Sequence, residues 1–276
     1  MTPRWVGFTR HAWRLALLVV LCVASLQLYF LARVALMRVV DPQSTTFQRS
    51  EAWRLLTEKH RIAWRQEWID YGRISVALKR AVIASEDAGF AEHSGVEWDA
   101  LENAWERNQR AQARVARINA ELERRAAAQA ARPGQRKPAS AAAPPAKPAP
   151  HLEAKIVGGS TITQQLAKNL FLGSERSVLR KGQEFVITVM LESLLGKRRI
   201  LEIYLNGVEW GEGVFGAEAA ARHYFQVGAA ALGPSAAARL AVMLPAPRRF
   251  EKRPDSAYVV GRAGTVMSRM AAVEVP

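Results

Sequence analysis

The chain has 276 residues, a formal net charge of +14 and one cysteine, Cys22. That length holds one large domain or two small ones, and a lone cysteine excludes any intramolecular disulfide, so the fold must stand on its core. Residues 110–150 carry nine Lys or Arg against two Glu, half of the net charge, and such a surface favours anionic lipid headgroups or phosphate-bearing substrates.

Residues 1–14 contain Arg4, Arg10 and Arg14, and Leu15 to Leu31 then runs for 17 residues without a charge, followed by Arg33 and Arg38. Seventeen residues is the short end of a bilayer span. A cleavable signal peptide is the rival reading, but the run exceeds the usual apolar core of one, and Val23-Ala24-Ser25 would be a poor cleavage site in mid-run. Residues 15–33 are therefore read as an uncleaved signal anchor. The slightly richer basic flank before it puts 1–14 in the cytoplasm and the rest outside. Nucleic acid is set aside as a partner, since an exported domain does not routinely meet it.

Residues 34–73 read as a membrane-proximal stalk leading into helix, with Trp53, Trp64 and Trp68 suited to the membrane interface or to a core. Ile74 to Ser85 has helical spacing at Ile74, Leu78 and Val82. It ends at Glu86-Asp87-Ala88-Gly89-Phe90-Ala91-Glu92-His93-Ser94-Gly95. A carboxylate at a helix end over a cleft can act as general acid or base; surface acids with a core-plugging Phe90 are the bland alternative. His93 lacks a second spaced ligand, so no metal ligands are assigned. From Trp105 to about Ala131 the composition is that of a solvated helix, and 133–150 carries six prolines among alanines and basic residues. About 106–154 is thus a basic, Ala/Pro-rich insertion that serves as spacer or touches anionic lipid.

Gly158 to Asn169 reads Gly-Gly-Ser-Thr-Ile-Thr-Gln-Gln-Leu-Ala-Lys-Asn. Ser160 is the expected N-cap of a helix beginning near Thr161. At helical spacing Thr161, Gln165 and Lys168 share one stripe, while Ile162, Leu166 and Leu170 share another. The polar stripe beside a helix N-terminus suits an anionic, hydrogen-bonding ligand, or else is a solvated face. Ser177 caps a helix to about Leu195, on which Arg180 and Glu184 share a face beside Lys181. After Gly196 comes Lys-Arg-Arg-Ile-Leu-Glu-Ile-Tyr-Leu-Asn to Asn206. Then follow a glycine-rich loop from Gly207 to Gly216 and helices over 217–225, 235–244 and 256–272. No series of alternating strands is evident, so the fold class is mainly α.

Taken in order, Glu86-Asp87-x-x-Phe90-x-x-His93-x-Gly95, Gly159-Ser160-Thr161-Ile162-Thr163-Gln164-Gln165 with Lys168-Asn169, Arg180-Lys181-x-x-Glu184, Lys197-x-x-Ile200-Leu201-Glu202-x-Tyr204-Leu205-Asn206 and Gly213-x-x-Gly216 up to Tyr224-Phe225 resemble the peptidoglycan glycosyltransferases of family 51, specifically the short monofunctional biosynthetic transglycosylases. The resemblance covers about 74–270 apart from the insertion. It implies a lysozyme-like, two-lobed helical domain over 74–276, on the periplasmic side of the inner (cytoplasmic) membrane. Its substrates would be lipid II and the lipid-linked nascent glycan, joined by a β-1,4 bond with inversion.

The resemblance gives Glu86 the role of general base and makes Glu184 the second important acid of the catalytic set, its role open between assisting the leaving diphosphate, with or without a divalent cation, and positioning the basic residues. Lys168, Arg180 and Lys181 would face the leaving diphosphate. Thr161 and Gln165 would orient substrate, with Ser160, Gln164 and Asn169 also in contact with it, and Asp87, Phe90 and His93 would shape the donor cleft. Glu202, Tyr204 and Asn206 would hold the cleft together. A divalent cation (Mg or Mn) is compatible with this family, with no organic cofactor, and other cell-wall synthesis or division proteins are candidate partners. Two departures stand out: the insertion, and Ala236, Ala237 and Ala238 where the family often carries an acid. The rivals are a lysozyme-type lytic enzyme and a non-catalytic membrane-anchored scaffold. A penicillin-binding second domain is not expected, because Ser-x-x-Lys and Lys-Thr-Gly are both absent.

Overall fold

A computed structural model describes residues 4–130, 159–173, 175 and 177–276. The chain separates into two units, one of residues 1–96 and 160–276 and the other of residues 97–159.

The larger unit opens with α1 (Arg4–Leu36), whose stretch His11–Leu36 is long and apolar enough to cross a membrane. Its Leu and Val side chains from Leu15 to Leu31 are exposed along most of their length. Next is α2 (Thr46–Lys59), closed by a capping box in which Thr45 Oγ1 accepts from Gln48 N and the Gln48 side chain accepts from Thr45 N. Residues 34–73 are not a bare stalk. Gln48, Glu51 and Leu55 are buried, α2 packs on a later helix that carries part of the site, and β1 (Arg65–Gln66) joins a small sheet. Of the three tryptophans, Trp53 is exposed, Trp64 stacks on Phe215 at 4.5 Å and Trp68 lies against the core under Arg199.

The helix α3 (Val76–Glu86) falls where the apolar spacing predicts one, starts two residues later than Ile74 behind a Ser75 cap, and buries Leu78, Ala81, Val82 and Ile83. In the smaller unit α4 (Trp98–Ala130) begins at Trp98 rather than Trp105, since Ala, Leu and Glu continue the helix-forming composition upstream. Pairs Glu106–Arg110 and Glu121–Arg125 at four-residue spacing line its solvated surface. The proline-rich part of the 106–154 insertion and Gly158 lie outside the described residues.

Back in the larger unit, α5 (Ile162–Phe171), α6 (Val178–Leu194) and α7 (Lys197–Gly207) follow one another. The helix α5 packs on α2, α6 and α7. It buries Ile162, Leu166 and Leu170, the apolar stripe that the spacing gives. Ser177 Oγ accepts from Arg180 N at 3.1 Å to start α6, and Gly196 separates α6 from α7.

The glycine-rich segment is folded rather than loose. There β2 (Glu209–Gly211) runs antiparallel to β3 (Val214–Phe215), and β3 runs parallel to β1. At Gly213, φ is +73° and a Cβ would run into the Ala63 carbonyl, so both backbone conformation and space require glycine. Four helices complete the unit: α8 (Ala217–Phe225), α9 (Pro234–Met243), α10 (Pro247–Phe250) and α11 (Ala257–Arg269). Ala237, Ala238 and Ala241 are fully buried where α9 lies along α3 and α11, and their small side chains permit that close approach. The alanines that depart from the family pattern therefore serve packing.

Candidate active site

The site is organised by the N-terminus of α5. Thr161, not Ser160, is its N-cap: Thr161 Oγ1 accepts from Gln164 N at 3.2 Å and donates to the Gly95 carbonyl at 2.7 Å, while Gln164 Oε1 accepts from Thr161 N. Both side chains are buried. Their polar atoms are committed to the helix start, which removes Thr161 from the ligand-facing stripe. Ser160 is exposed, and its carbonyl takes a long contact from the Gln165 amide at 3.4 Å.

Asp87 closes the same helix end from the α3 side. Its Oδ2 accepts from Ile162 N at 2.9 Å and its Oδ1 pairs with His93 Nε2 at 2.7 Å. The other ring nitrogen, Nδ1, accepts from Gly95 N at 3.0 Å. A carboxylate on the first-turn amides also favours the helix dipole. Gly95 has φ +84°, and a Cβ there would meet Glu192 and Thr188 on α6. Phe90 is fully buried, with Lys197 Nζ 4.6 Å from its ring centre. The run from Asp87 to Gly95 is therefore a clamp that fixes α5 against α3 and α6. Asp87, Phe90 and His93 have their contacts inside that clamp rather than along the cleft.

Glu86, one residue earlier, turns the other way. At the last position of α3 it is half-buried, and its Oε2 accepts from Gln165 Nε2 at 3.0 Å. Gln165 Oε1 accepts from the Tyr204 hydroxyl at 2.9 Å, so the amide is held from both ends. Loss of hydration pushes the Glu86 carboxyl above its usual range; the Gln165 bond pulls it back and the Asp87 charge adds to the rise. Tyr204 is raised well above the usual phenol range, first by burial and then by Glu86 and Asp87.

Gln165 also borders a cleft of about 450 Å³, lined by Lys168, Asn169 and Leu172 of the same segment and by Arg180 of α6. On α6, Glu184 is buried and accepts from Arg180 Nη1 at 3.0 Å and from Lys181 Nζ. Arg180 Nε is buried with no hydrogen-bond partner among the described residues. The Lys168 side chain keeps contact with solvent, yet enough protein stands around its ammonium to lower the pKa. Glu184 opposes that drop, and Arg180 and Lys181 deepen it. One buried carboxylate thus assembles two cations directly and sits in the field of a third, leaving net positive charge at the cleft.

The far wall of the cleft is formed by Phe47, Ser50, Val208, Glu209, Leu244, Pro245 and Pro247. None of these is singled out by sequence reasoning. Phe47 and Ser50 fall in the expected stalk, and Glu209 sits in the glycine-rich segment whose close approach is the only signal for it. Burial pushes the Glu209 carboxyl up to about 7, with the Arg248 guanidinium at 2.9 Å opposing the rise. Glu202 and Asn206 brace the floor from behind: Glu202 accepts from Tyr71 N at 2.7 Å, and Asn206 bonds both the amide and the carbonyl of Ile69 at 2.9 Å.

A half-buried carboxylate with raised proton affinity, joined through one amide to a cation-lined cleft, defines an enzyme of anionic substrates in a helical domain that follows an apolar helix. Comparison with known proteins makes this specific. The family model described as Transglycosylase matches residues 54–117 and 149–271, and the gap between the two stretches falls inside the insertion. The biosynthetic peptidoglycan transglycosylase of Burkholderia thailandensis is 46% identical over 250 residues, which is 91% of this chain and 82% of the relative. That of Bordetella pertussis is 46% identical over 261 residues, 94% of this chain and 93% of the relative. That of Paraburkholderia xenovorans is 42% identical over 270 residues, 98% and 95%. The chain belongs to the transglycosylase family.

Proposed function

We propose that this chain is a peptidoglycan glycan-strand polymerase. It transfers the lipid-linked growing glycan from undecaprenyl diphosphate to the GlcNAc 4-hydroxyl of lipid II, making a β-1,4 bond with inversion. The observation that carries this reading is Gln165, which bonds Glu86 and lines the same cleft as Lys168 and Arg180. A proton acceptor and a diphosphate-sized field of positive charge therefore meet at one residue.

In this reading Glu86 takes the proton of the acceptor hydroxyl as its oxygen attacks the anomeric carbon, and the bond to the diphosphate oxygen breaks with its electron pair. Its raised proton affinity suits a base for an otherwise weak nucleophile. Charge that develops on the leaving diphosphate is met by Lys168, Arg180 and Lys181, and Arg180 brings an unused buried donor. Glu184 holds Arg180 and Lys181 in place. A divalent cation does not fit at Glu184: both of its oxygens are already taken by cationic groups and Lys168 adds a third positive charge. Ser160, Gln164 and Thr161 support the helix start, and Asn169 lies in the cleft wall where it can meet substrate.

The apolar stretch His11–Leu36 acts as a retained anchor in the inner membrane, with the N-terminal tail cytoplasmic and the catalytic domain periplasmic. Cell-wall synthesis or division proteins are natural partners for such an enzyme.

The test is polymerisation of purified lipid II by the full chain in detergent, beside Glu86→Gln. Glycan polymer from the wild type and almost none from an equally folded variant is the expected result. Cleavage of preformed glycan without polymerisation would replace the reading with a lytic one, and neither activity would favour a scaffold.

A further inference from the structure

The apolar run Leu15–Leu31 contains a single amide side chain, Gln27. It forms a reciprocal pair with Gln183 of α6: Gln27 Nε2 donates to Gln183 Oε1 at 2.8 Å, and Gln183 Nε2 donates to Gln27 Oε1 at 3.0 Å. An amide exposed to hydrocarbon is costly, and pairing of both its functions across two helices is the arrangement that removes the cost. Gln183 lies between Lys181 and Glu184, on the helix that carries the cleft's cations.

Two further contacts fix the same register. Phe30 meets Phe171, the last residue of α5, edge-on at 5.3 Å, and Arg199 of α7 donates to the Met37 carbonyl at 2.8 Å while pairing with Asp41 at 2.7 Å. The anchor is therefore tied at successive levels to α6, α5 and α7, the helices that supply Arg180, Lys168 and Tyr204. Gln27 lies nine positions before Leu36, about 14 Å of helix rise from the end of α1. Val178, Leu179, Val186 and Val189 leave an exposed apolar strip on α6. That strip is unfavourable in water and suits hydrocarbon.

We propose that Gln27 and Gln183 are a positioning pair: the amide clasp fixes α6 against the anchor, so that Arg180 and Lys181 keep one height relative to the bilayer that carries the lipid-linked substrate. The proposal rests on the polymerase reading and on retention of the anchor. It predicts that the anchor acts on substrate engagement, not merely on tethering.

The full chain with Gln27→Leu, Gln183→Leu or both is assayed in nanodiscs and in micelles. In nanodiscs each single variant raises the KM for lipid II about fivefold with kcat within about twofold, because an interhelical bond of this kind is lost and one amide is left unpaired. The double variant, with no amide to strand, recovers part of that loss, and Gln27→Asn with Gln183 intact recovers more than Gln27→Leu. In micelles, which impose no fixed plane, the KM differences shrink below twofold. Equal KM effects in both media, or changes in kcat alone, would overturn the positioning role.

A measurement independent of activity is quenching of a fluorophore attached at Val186→Cys, in a Cys22→Ser background, by lipids brominated along their chains. Strong quenching that weakens in Gln27→Leu supports the clasp, and quenching unchanged by Gln27→Leu overturns it. If the wild type makes no polymer while the quenching pattern holds, the polymerase reading has failed and the clasp has not.

Discussion

The turn from α3 into the Asp87–Gly95 run separates two regions built from the same two sequence motifs. On the clamp side, Asp87, His93, Thr161 and Gln164 spend their polar groups on one another and on the backbone of residues 95, 161, 162 and 164. On the cleft side, Gln165, Lys168 and Arg180 border the cleft, and Glu86 is joined to it through the Gln165 amide. Glu86 and Asp87 are adjacent in the chain, yet one meets the Gln165 amide at the edge of the cleft and the other is locked onto the start of α5. A motif spelled in sequence is thus a mixture of chemistry and of the frame that aims it, and substitutions on the two sides should fail differently.

The largest contrast is between those neighbours. Glu86→Gln keeps the shape of the side chain and its reach to Gln165, so the melting temperature should stay within a few degrees while kcat falls about 10³-fold or more. Asp87→Ala instead removes the acceptor for Ile162 N and for His93. Charge-assisted bonds of this kind contribute about 1.5–3 kcal/mol each, and the loss should lower the melting temperature by about 10 °C in a domain of this size. Activity of the fraction that remains folded should stay well above that of Glu86→Gln. Calorimetry beside single-turnover assays separates the two; a large kcat loss without destabilisation in Asp87→Ala would move Asp87 to the chemical side.

The opposite wall offers a second, smaller contrast. Glu209 is a buried carboxyl raised to about 7, so between the ordinary carboxylate range and that value the folded chain holds a proton the unfolded chain has released. The stability that this proton supplies is complete at lower pH and lost as pH rises through about 7. Glu209→Gln should flatten the decline and raise stability at pH 8 relative to wild type, by at most about 3 kcal/mol and less once the Arg248 bond is discounted. Denaturant midpoints measured from pH 5 to 8 test the sign, and a wild-type midpoint that climbs across this range would refute it.

What the sequence carried and what it did not follows the same division. The helices with hydroxyl caps and clear apolar stripes, α3 and α6 behind serines and α5 behind Thr161, are legible because period and cap coincide, and the polar residues clustered at the start of α5 mark the site. Ser160 and Thr161 are both good caps, and only the Gly95 carbonyl, 66 residues away in sequence, decides between them. Phe47, Ser50 and Glu209 reach the cleft through packing of α2 and the small sheet, contacts between segments about 160 residues apart that no local pattern encodes. Hydroxyls and amides show that a residue can bond, not whether its partner will be a ligand or the backbone of its own helix.

The smallest predicted effect is the most discriminating for the cleft side. Gln165 donates to Glu86 and so holds its proton affinity down against burial and the Asp87 charge, both of which push it up. Gln165→Leu removes the restraining bond while the two raising influences remain. The acidic limb of the kcat/KM profile, which reports ionisation of the free enzyme's base, should therefore move to higher pH. Tyr204→Phe leaves the Glu86 bond in place and loses only the hydroxyl that orients the amide, so its limb should move less. A limb that stays put in both variants would mean the ionisation seen in the profile is not that of Glu86. A limb that moves equally in both would mean the orientation of the Gln165 amide by Tyr204, and not the mere presence of a donor, is what tunes the base.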